Sequence, residues 1–413
     1  MQRCTDPCRP FSAWKNHSKT LVAETFDLAV LGGGCAGLSL AMDLAAHGAR
    51  CPRTLVVESR AEYTNDRTWC YWTDSATAPP YPIVHRWQTM RVAHAGHSVS
   101  LDCASTPYQM LAAQDFYAAA RASIDRRPEI TLQRGTTVVA EPFRSNGLWL
   151  IPTSHGTVAA RSVVDTRPPQ GSRRGAATLW QSFSGQEIEC SAAIFDPLSM
   201  DLMNFLAPDP RHVAFVYVLP VTPTRALIEV TVFGAAPLTP RELVDRLAAA
   251  VAERVGDAAF TTLRREHGVL PMGLSENLKP ALERFVRAGV MAGGARPSTG
   301  FAFQRIQRWA RECAQSLVSN GRPIGHKPDP LPLRVMDRIL LEVLRADPKR
   351  GGALFFSLFN RAEPSRVIRF LSGDAGVVDS LAVIAAMPVS PFVRAALALT
   401  LRQSRISESK GIA

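Results

Sequence analysis

Two groups of residues in this chain have types and spacings suited to chemistry. The first is Gly32, Gly34 and Gly37, in a Gly-x-Gly-x-x-Gly spacing, followed by Glu58. Such glycines let a turn tighten, let backbone approach a pyrophosphate, and let a helix pack close to a strand. The helix N-terminus offers free N–H groups to phosphate oxygens, and an acid at the end of the next strand can accept from a ribose hydroxyl. This pattern points to an adenine dinucleotide without choosing between NAD and FAD. The second is Glu229, a carboxylate inside the apolar run ALIEVTVF. It is either a poised acid whose pKa burial raises, or a core glutamate satisfied by an arginine or by backbone. There is no Ser-His-Asp order, paired-histidine motif or Cys-x-x-Cys pair. Hydrolase and metalloenzyme readings therefore have no support, and no metal site is expected.

These residues need elements to position them. FDLAVL reads as a strand, residues 38–47 as a helix and residues 54–57 as a second strand, which together make a dinucleotide-binding start. Asp66 and Arg67 either position a cofactor phosphate or ribose, or form a surface ion pair. The aromatic Trp69, Tyr71 and Trp72 are either a core corner beneath the cofactor or a wall of a large apolar pocket. Tyr108 to Arg121 reads as a helix. Asp165 ends an apolar strand where such folds return to the cofactor edge.

From residue 177 to about 236, apolar or alternating pieces separated by turns predict an antiparallel sheet. Its inward face carries Phe183, Phe195, Met200, Met203, Phe205, Phe215, Tyr217 and Phe233. On alternation, Leu227 and Thr231 share the side of Glu229, while Ile228 and Val230 face away. A helix over 238–256 starts at Thr239-Pro240, and a strand carrying Glu266 follows. The run 290–294 ends in Gly293-Gly294, read as a strand-end glycine pair at the second cofactor contact. A turn over 296–300 ends in Gly300 and leads into a long helix. The tail is helical, with loops at Pro388, Pro391 and the final QSRISESKGIA. Phe355 to Phe359 is either helix–helix core or a lipid-facing entry. Arg361, Arg366 and Arg369 are either an anionic-interface patch or a solvated face.

The totals set limits. A chain of 413 residues with 46% hydrophobic content can bury a large core. The formal net charge is +11, which suits nucleic acid, an anionic membrane surface or nothing specific. No aromatic-basic repeat, zinc-finger spacing or basic helix favours nucleic acid. The eight cysteines are scattered and read as reduced thiols. No apolar run reaches transmembrane length and residues 1–25 lack a signal h-region, so any membrane contact is expected to be peripheral.

Seven pieces in order, LGGGCAGLSLA, NDRTWCYW, VVDTRP, FDPLSMD, YVLPVTPTRALIEVT, EHGVLPMG and RPSTGFAFQRIQ, resemble the lycopene beta-cyclase family over residues 26 to 395. The resemblance implies an α/β protein: a Rossmann-like FAD-binding domain of glutathione-reductase type, an antiparallel-sheet substrate domain and a helical C-terminal region. The implied division is a flexible tail over 1–25, FAD-binding segments at 26–176 (with inserted elements) and 289–325, a mainly substrate-binding sheet domain at 177–288, and a helical C-terminal region from 326 to 413 that is a candidate membrane-facing part. It implies FAD, active when reduced, with NAD(P)H as reductant. The implied reaction is redox-neutral closure of the ends of lycopene, or a related linear carotenoid, into beta-ionone rings.

By that resemblance Glu229 inherits the acid role, with Val230 where many relatives carry a second acid. Glu266 falls near the same pocket, either relaying the leaving proton or forming a salt bridge. Gly32, Gly34, Gly37, Glu58, Arg67, Asp165, Gly293, Gly294 and Gly300 are the implied cofactor contacts. The setting is the cytoplasmic face of a membrane, bound peripherally. Competing readings are a flavin-dependent monooxygenase or halogenase on the same fold, a cyclase of another polyene, and a flavin- or carotenoid-binding protein without turnover.

Overall fold

The computed structural model describes residues 24–74, 79–168, 177–274 and 282–410. Most of the expected tail, with Cys4 and Cys8, lies outside the described residues. The apolar strand Thr25–Leu31 pairs in parallel with Thr54–Val57 on one side and Gly156–Asp165 on the other. Gly156–Asp165 is long enough to take two partners in succession on its far side. Leu148–Thr153 runs antiparallel to its first half, and Phe285–Arg287 runs parallel to Val163–Asp165. A distant segment thereby returns to the strand-end edge where the glycines lie. Leu28 and Val30 pack towards helices Cys35–Ala46, Ala113–Ile124 and Phe303–Asn320, while Ala29 and Leu31 pack with Trp149 and Ile151. Each large apolar side chain taken from water there contributes about 1.5–3 kcal/mol.

A second sheet is ordered Phe260–Leu274, Ala177–Cys190, Arg225–Gly234, His212–Pro220, Ser199–Phe205, Thr89–His94 and His97–Asp102. The last two strands lie within 26–176 in sequence, yet Thr89–His94 pairs in parallel with Ser199–Phe205. Ile228, Val230 and Val232 pack against helix Pro240–Val255, and Leu227 and Phe233 join the opposite core. The alternation about Glu229 is therefore as expected. Phe195, expected beside Phe215, lies under Pro240–Val255 instead. The chain after Cys190 is drawn round that side by the Ile194 and Phe195 N–H groups, both bonded to the Pro223 carbonyl. The helix itself starts in a capping box of Thr239 and Glu242, worth about 1 kcal/mol.

A three-stranded sheet joins Thr68–Trp72, Tyr108–Ala112 and His85–Trp87. Tyr108 to Ala112 is thus a strand rather than the start of a helix. Thr68–Trp72 offers a partner to each of its residues, and the helix begins at Ala113. Val290–Ala292, read as strand, is a single 3-10 turn between Gly289 and Gly293, both at positive φ. The strand there is Phe285–Arg287.

The tail forms helices Leu331–Ala346, Gly351–Arg361, Pro364–Ser372 and Val377–Ala386. The break expected at Pro388 is present, but a further helix, Val389–Lys410, takes the place of the loops expected at Pro391 and from residue 403 to 410, and residues 411–413 lie outside the described residues. Pro391 falls in its first turn, where a missing N–H leaves nothing unpaired. Phe355, Leu358 and Phe359 pack into the core shared with the second sheet.

Candidate active site

The strand Thr25–Leu31 stops at Gly32, whose φ of +100° turns the chain towards the helix. Gly37 packs so close that a Cβ there would stand 2.0 Å from the Gly32 carbonyl oxygen. A Cβ on Gly34 would meet nothing within 4 Å, so the backbone at the helix start is open. The helix has no side-chain cap and no acid in its first turn. Its leading N–H groups remain available to an anion. An open backbone and uncapped amides are what a pyrophosphate needs, and these residues fit the ADP half of an adenine dinucleotide.

Glu58 is buried and accepts from the Gly33 N–H at 2.7 Å and from Arg60 Nε at 3.1 Å. Burial pushes its carboxyl up, but Arg60 and the Gly33 amide outweigh that, and the net shift is downward. The Tyr63 hydroxyl donates to the Gly33 carbonyl at 2.9 Å. Asp165 stands level with Leu31 and accepts from Arg167 Nε at 2.9 Å. Thr166 Oγ1 donates to the Leu31 and Gly32 carbonyls, each at 3.0 Å. Gly294 N–H donates to the Gly289 carbonyl, and Gly289 approaches Ala36 and the Thr166 carbonyl. Six of the expected glycine and acid positions therefore gather with Gly37 at one sheet edge. Arg67 pairs with Asp66 at 2.8 Å and is largely exposed.

The strand Thr68–Trp72 divides this edge from the second sheet. Trp69 and Tyr71 pack with Phe303 and the helices, while Cys70 and Trp72 join the core on the Glu229 side. Trp72 packs against Tyr108 and Phe301, with ring centroids 4.6 and 5.2 Å away. Gly300 lies at the seam, where a Cβ would be 2.6 Å from Gln181 Oε1. Gln181 Oε1 and Trp72 Nε1 are buried with no protein partner. Leaving such an atom unsatisfied costs about 1–3 kcal/mol, which suits a place that receives a polar ligand atom.

Glu229 and Glu266 meet on the second sheet across Gly185. Gly185 is in register with Glu229 on one neighbouring strand and with Glu266 on the other. Two strand spacings set their backbones about 10 Å apart. The side chains bridge that gap over the one residue that has none. A Cβ on Gly185 would stand 3.2 Å from Glu266 Cγ and 3.4 Å from Glu229 Cβ. Tyr217 is next in the same row. Thr231 Oγ1 donates to Glu229 Oε1 at 3.0 Å, and Thr68 Oγ1 donates to Glu266 Oε2 at 2.8 Å. Arg264 donates to both Glu266 and Glu187.

Both side chains crowd the space above Gly185, and two like charges that close disfavour ionisation of both. Burial first and the Glu266 charge second push the Glu229 carboxyl up to about 8, while Thr231 and Arg264 pull the other way. The proton belongs on Glu229, the member without a cation beside it. Glu229 keeps part of its surface free. The Cys70 thiol and Tyr108 phenol nearby are pushed well up by burial, so neither competes as a base. The arrangement is a carboxyl with a raised pKa, backed by a second carboxyl, on a face lined by Phe215, Phe233 and Leu227.

A family model described as lycopene cyclase protein matches residues 27–397. The chain belongs to the lycopene cyclase family. A lycopene beta-cyclase of Pantoea ananas is 25% identical over 395 residues, covering 91% of this chain and 98% of that protein. One from a Paracoccus species is 27% identical over 256 residues, covering 57% of this chain and 63% of that protein. Among solved structures, a geranylgeranyl bacteriochlorophyll reductase-like protein from Thermoplasma acidophilum aligns with a TM-score of 0.57 at 14% identity, over 88% of this chain and 96% of that one. A p-nitrophenol 4-monooxygenase from Pseudomonas putida aligns with a TM-score of 0.54 at 13% identity, over 91% and 98%. These likenesses show a mixed α/β fold.

The span matched to the lycopene cyclase family contains every candidate residue named above. Sequence reasoning passed over Arg60, Tyr63, Thr166, Gly185, Arg264 and Thr68. Two of these had a signal. Arg264 and Glu266 are two apart on a strand and so share a face, and Gly185 is the lone glycine in the LWQSFSGQEIEC strand. Among the described residues no cluster of metal-ligating side chains occurs.

Proposed function

We propose that this protein is a flavin-dependent cyclase that closes the ends of lycopene, or a related linear carotenoid, into beta-ionone rings. The observation that carries the reading is the pairing of Glu229 with Glu266 over Gly185, on an apolar face across the Thr68–Trp72 strand from the dinucleotide edge. Gly32, Gly34, Gly37, Asp165, Gly293 and Gly294 would hold FAD, with Glu58 bracing the turn and Gly300 beside the second sheet. Reduced flavin, with NAD(P)H as its source of electrons, supplies negative charge that stabilises a neighbouring carbocation.

Glu229 donates its proton to the terminal alkene. The next double bond supplies its electron pair to the resulting cationic carbon and closes the ring. A proton then leaves the adjacent carbon for the Glu229–Glu266 pair, which ends as it began. Proton gain and loss cancel, and no electrons are transferred overall. Thr231 orients the acid, Arg264 and Thr68 hold Glu266, and the apolar lining keeps out water that would quench the cation. Such a substrate dissolves in lipid, so the protein works as a peripheral protein at the cytoplasmic face of a membrane.

The test is anaerobic incubation of purified protein with lycopene in liposomes and chemically reduced FAD, followed by pigment chromatography. Gamma- or beta-carotene is expected. Unchanged lycopene with FAD demonstrably bound would defeat the proposal. Oxygen uptake matched to NAD(P)H consumption would favour the monooxygenase or halogenase reading.

A further inference from the structure

The C-terminal helices are apolar on both faces. Their inner faces pack Val383, Ala386, Met387 and Ala395 into the core behind the second sheet. Their outer faces carry rows of aliphatic side chains left open. On Val377–Ala386 these are Val377, Leu381 and Ile384, and on the following helix Val389, Val393, Leu397 and Leu401 recur every fourth residue. Val377 is 76% exposed, Val389 71% and Leu401 65%. Leu331 and Val335, on the helix that packs against the last one, are also open. Between Val377 and Leu401 the charged residues are Asp379 and Arg394. Asp379 is turned inward onto Arg369 at 2.7 Å, which leaves Arg394 as the exposed charge.

A soluble surface helix is ordinarily polar on its outer side, and contiguous exposed patches of this kind mark an interaction site. The two helices meet at a bend of 109°, and no single helix among the described residues is long and apolar enough to cross a membrane. The patch lacks the tryptophan and tyrosine anchors that concentrate energy in protein interfaces. It is aliphatic, its exposed charge is basic, and the chain carries a formal net charge of +11.

We infer that the V formed by Val377–Ala386 and Val389–Leu401 lies flat on an anionic lipid surface, with its aliphatic rows among the acyl chains and Arg394 at the headgroups. This docking face deepens the membrane setting proposed above by naming the surface, but it does not depend on the cyclisation chemistry.

Flotation of the purified full-length protein with phosphatidylcholine vesicles, with and without phosphatidylglycerol, tests the inference without any substrate. The protein should float with vesicles, more strongly when they are anionic. Leu381→Glu with Leu397→Glu should reduce the bound fraction at least about tenfold, as should the separate pair Val377→Glu and Val389→Glu, with unfolding midpoints unchanged. Flotation of either pair at the parental level would overturn the proposal. So would parental protein that ignores vesicles but forms a dimer, seen by sedimentation, that these substitutions abolish.

Discussion

The glycine edge of the parallel sheet and the acid pair of the second sheet are built by opposite means. The edge is main chain: uncapped helix amides, an open Gly34 and a Gly37 with no room for a methyl group. The acid pair is side chain: Glu229, Glu266, Thr231, Thr68 and Arg264, from strands far apart in sequence. Both depend on a glycine, but for different reasons. Gly37 lets backbone touch backbone, whereas Gly185 lets two side chains cross above it. A site for a large anion is thus made from a local fold, and a site for a proton from strand register.

The sharpest way to break this comparison is Glu229→Gln. It should lower turnover about 10³-fold, roughly 4 kcal/mol of barrier, and leave bound flavin unchanged in the absorbance spectrum. Parental turnover would mean that the acid lies elsewhere. The mirror experiment is Gly37→Val. By driving a side chain into the Gly32 carbonyl it should destabilise the fold by about 3 kcal/mol and abolish co-purification of flavin. A normal melting curve with flavin retained would show that the close approach does not matter.

Gly185→Ala is subtler, placing one methyl group where the carboxyls cross. Turnover should fall about tenfold to a hundredfold with flavin affinity intact. If flavin affinity fell instead, the two regions would not be separable.

The smallest effect is in the pH profile. Activity needs protonated Glu229, so it should decline as pH rises through about 8. The folded carboxyl holds its proton more tightly than the unfolded one. Its contribution to stability is therefore full below the unfolded value of about 4.5 and is lost as pH rises through about 8. Glu229→Gln should remove this drift from chemical denaturation curves measured across that window.

Legibility in the sequence followed the same divide. The turn at Gly32, the helix after it and Glu58 form one contiguous stretch, and the order of residue types sufficed to read them. Thr239 and Glu242 were legible for the same local reason. Glu229 stood out as a charge in an apolar strand, but its partnership with Glu266 depends on both strands choosing Gly185 as their neighbour, which no local pattern encodes. Tyr108–Ala112 was misread because its strand state comes from a partner at Thr68–Trp72. The last helix is hidden in the sequence because Pro391 reads as a stop, whereas in a first turn a proline is tolerated.

Arg296 bears on how the molecule assembles. It is wholly buried, paired with Asp337 at 3.1 Å, bonded to the Phe370 carbonyl and laid over the Phe370 ring. Asp337 also accepts from Ser298 at 2.7 Å. Both partners of Arg296 come later in the chain, on Leu331–Ala346 and Pro364–Ser372. A chain emerging from the ribosome must therefore carry this turn with its guanidinium unmatched until the C-terminal helices are made. A stop codon ahead of Asp337 should leave a buried cation without its carboxylate, at about 3–5 kcal/mol, and yield a chain that is degraded rather than a smaller working enzyme.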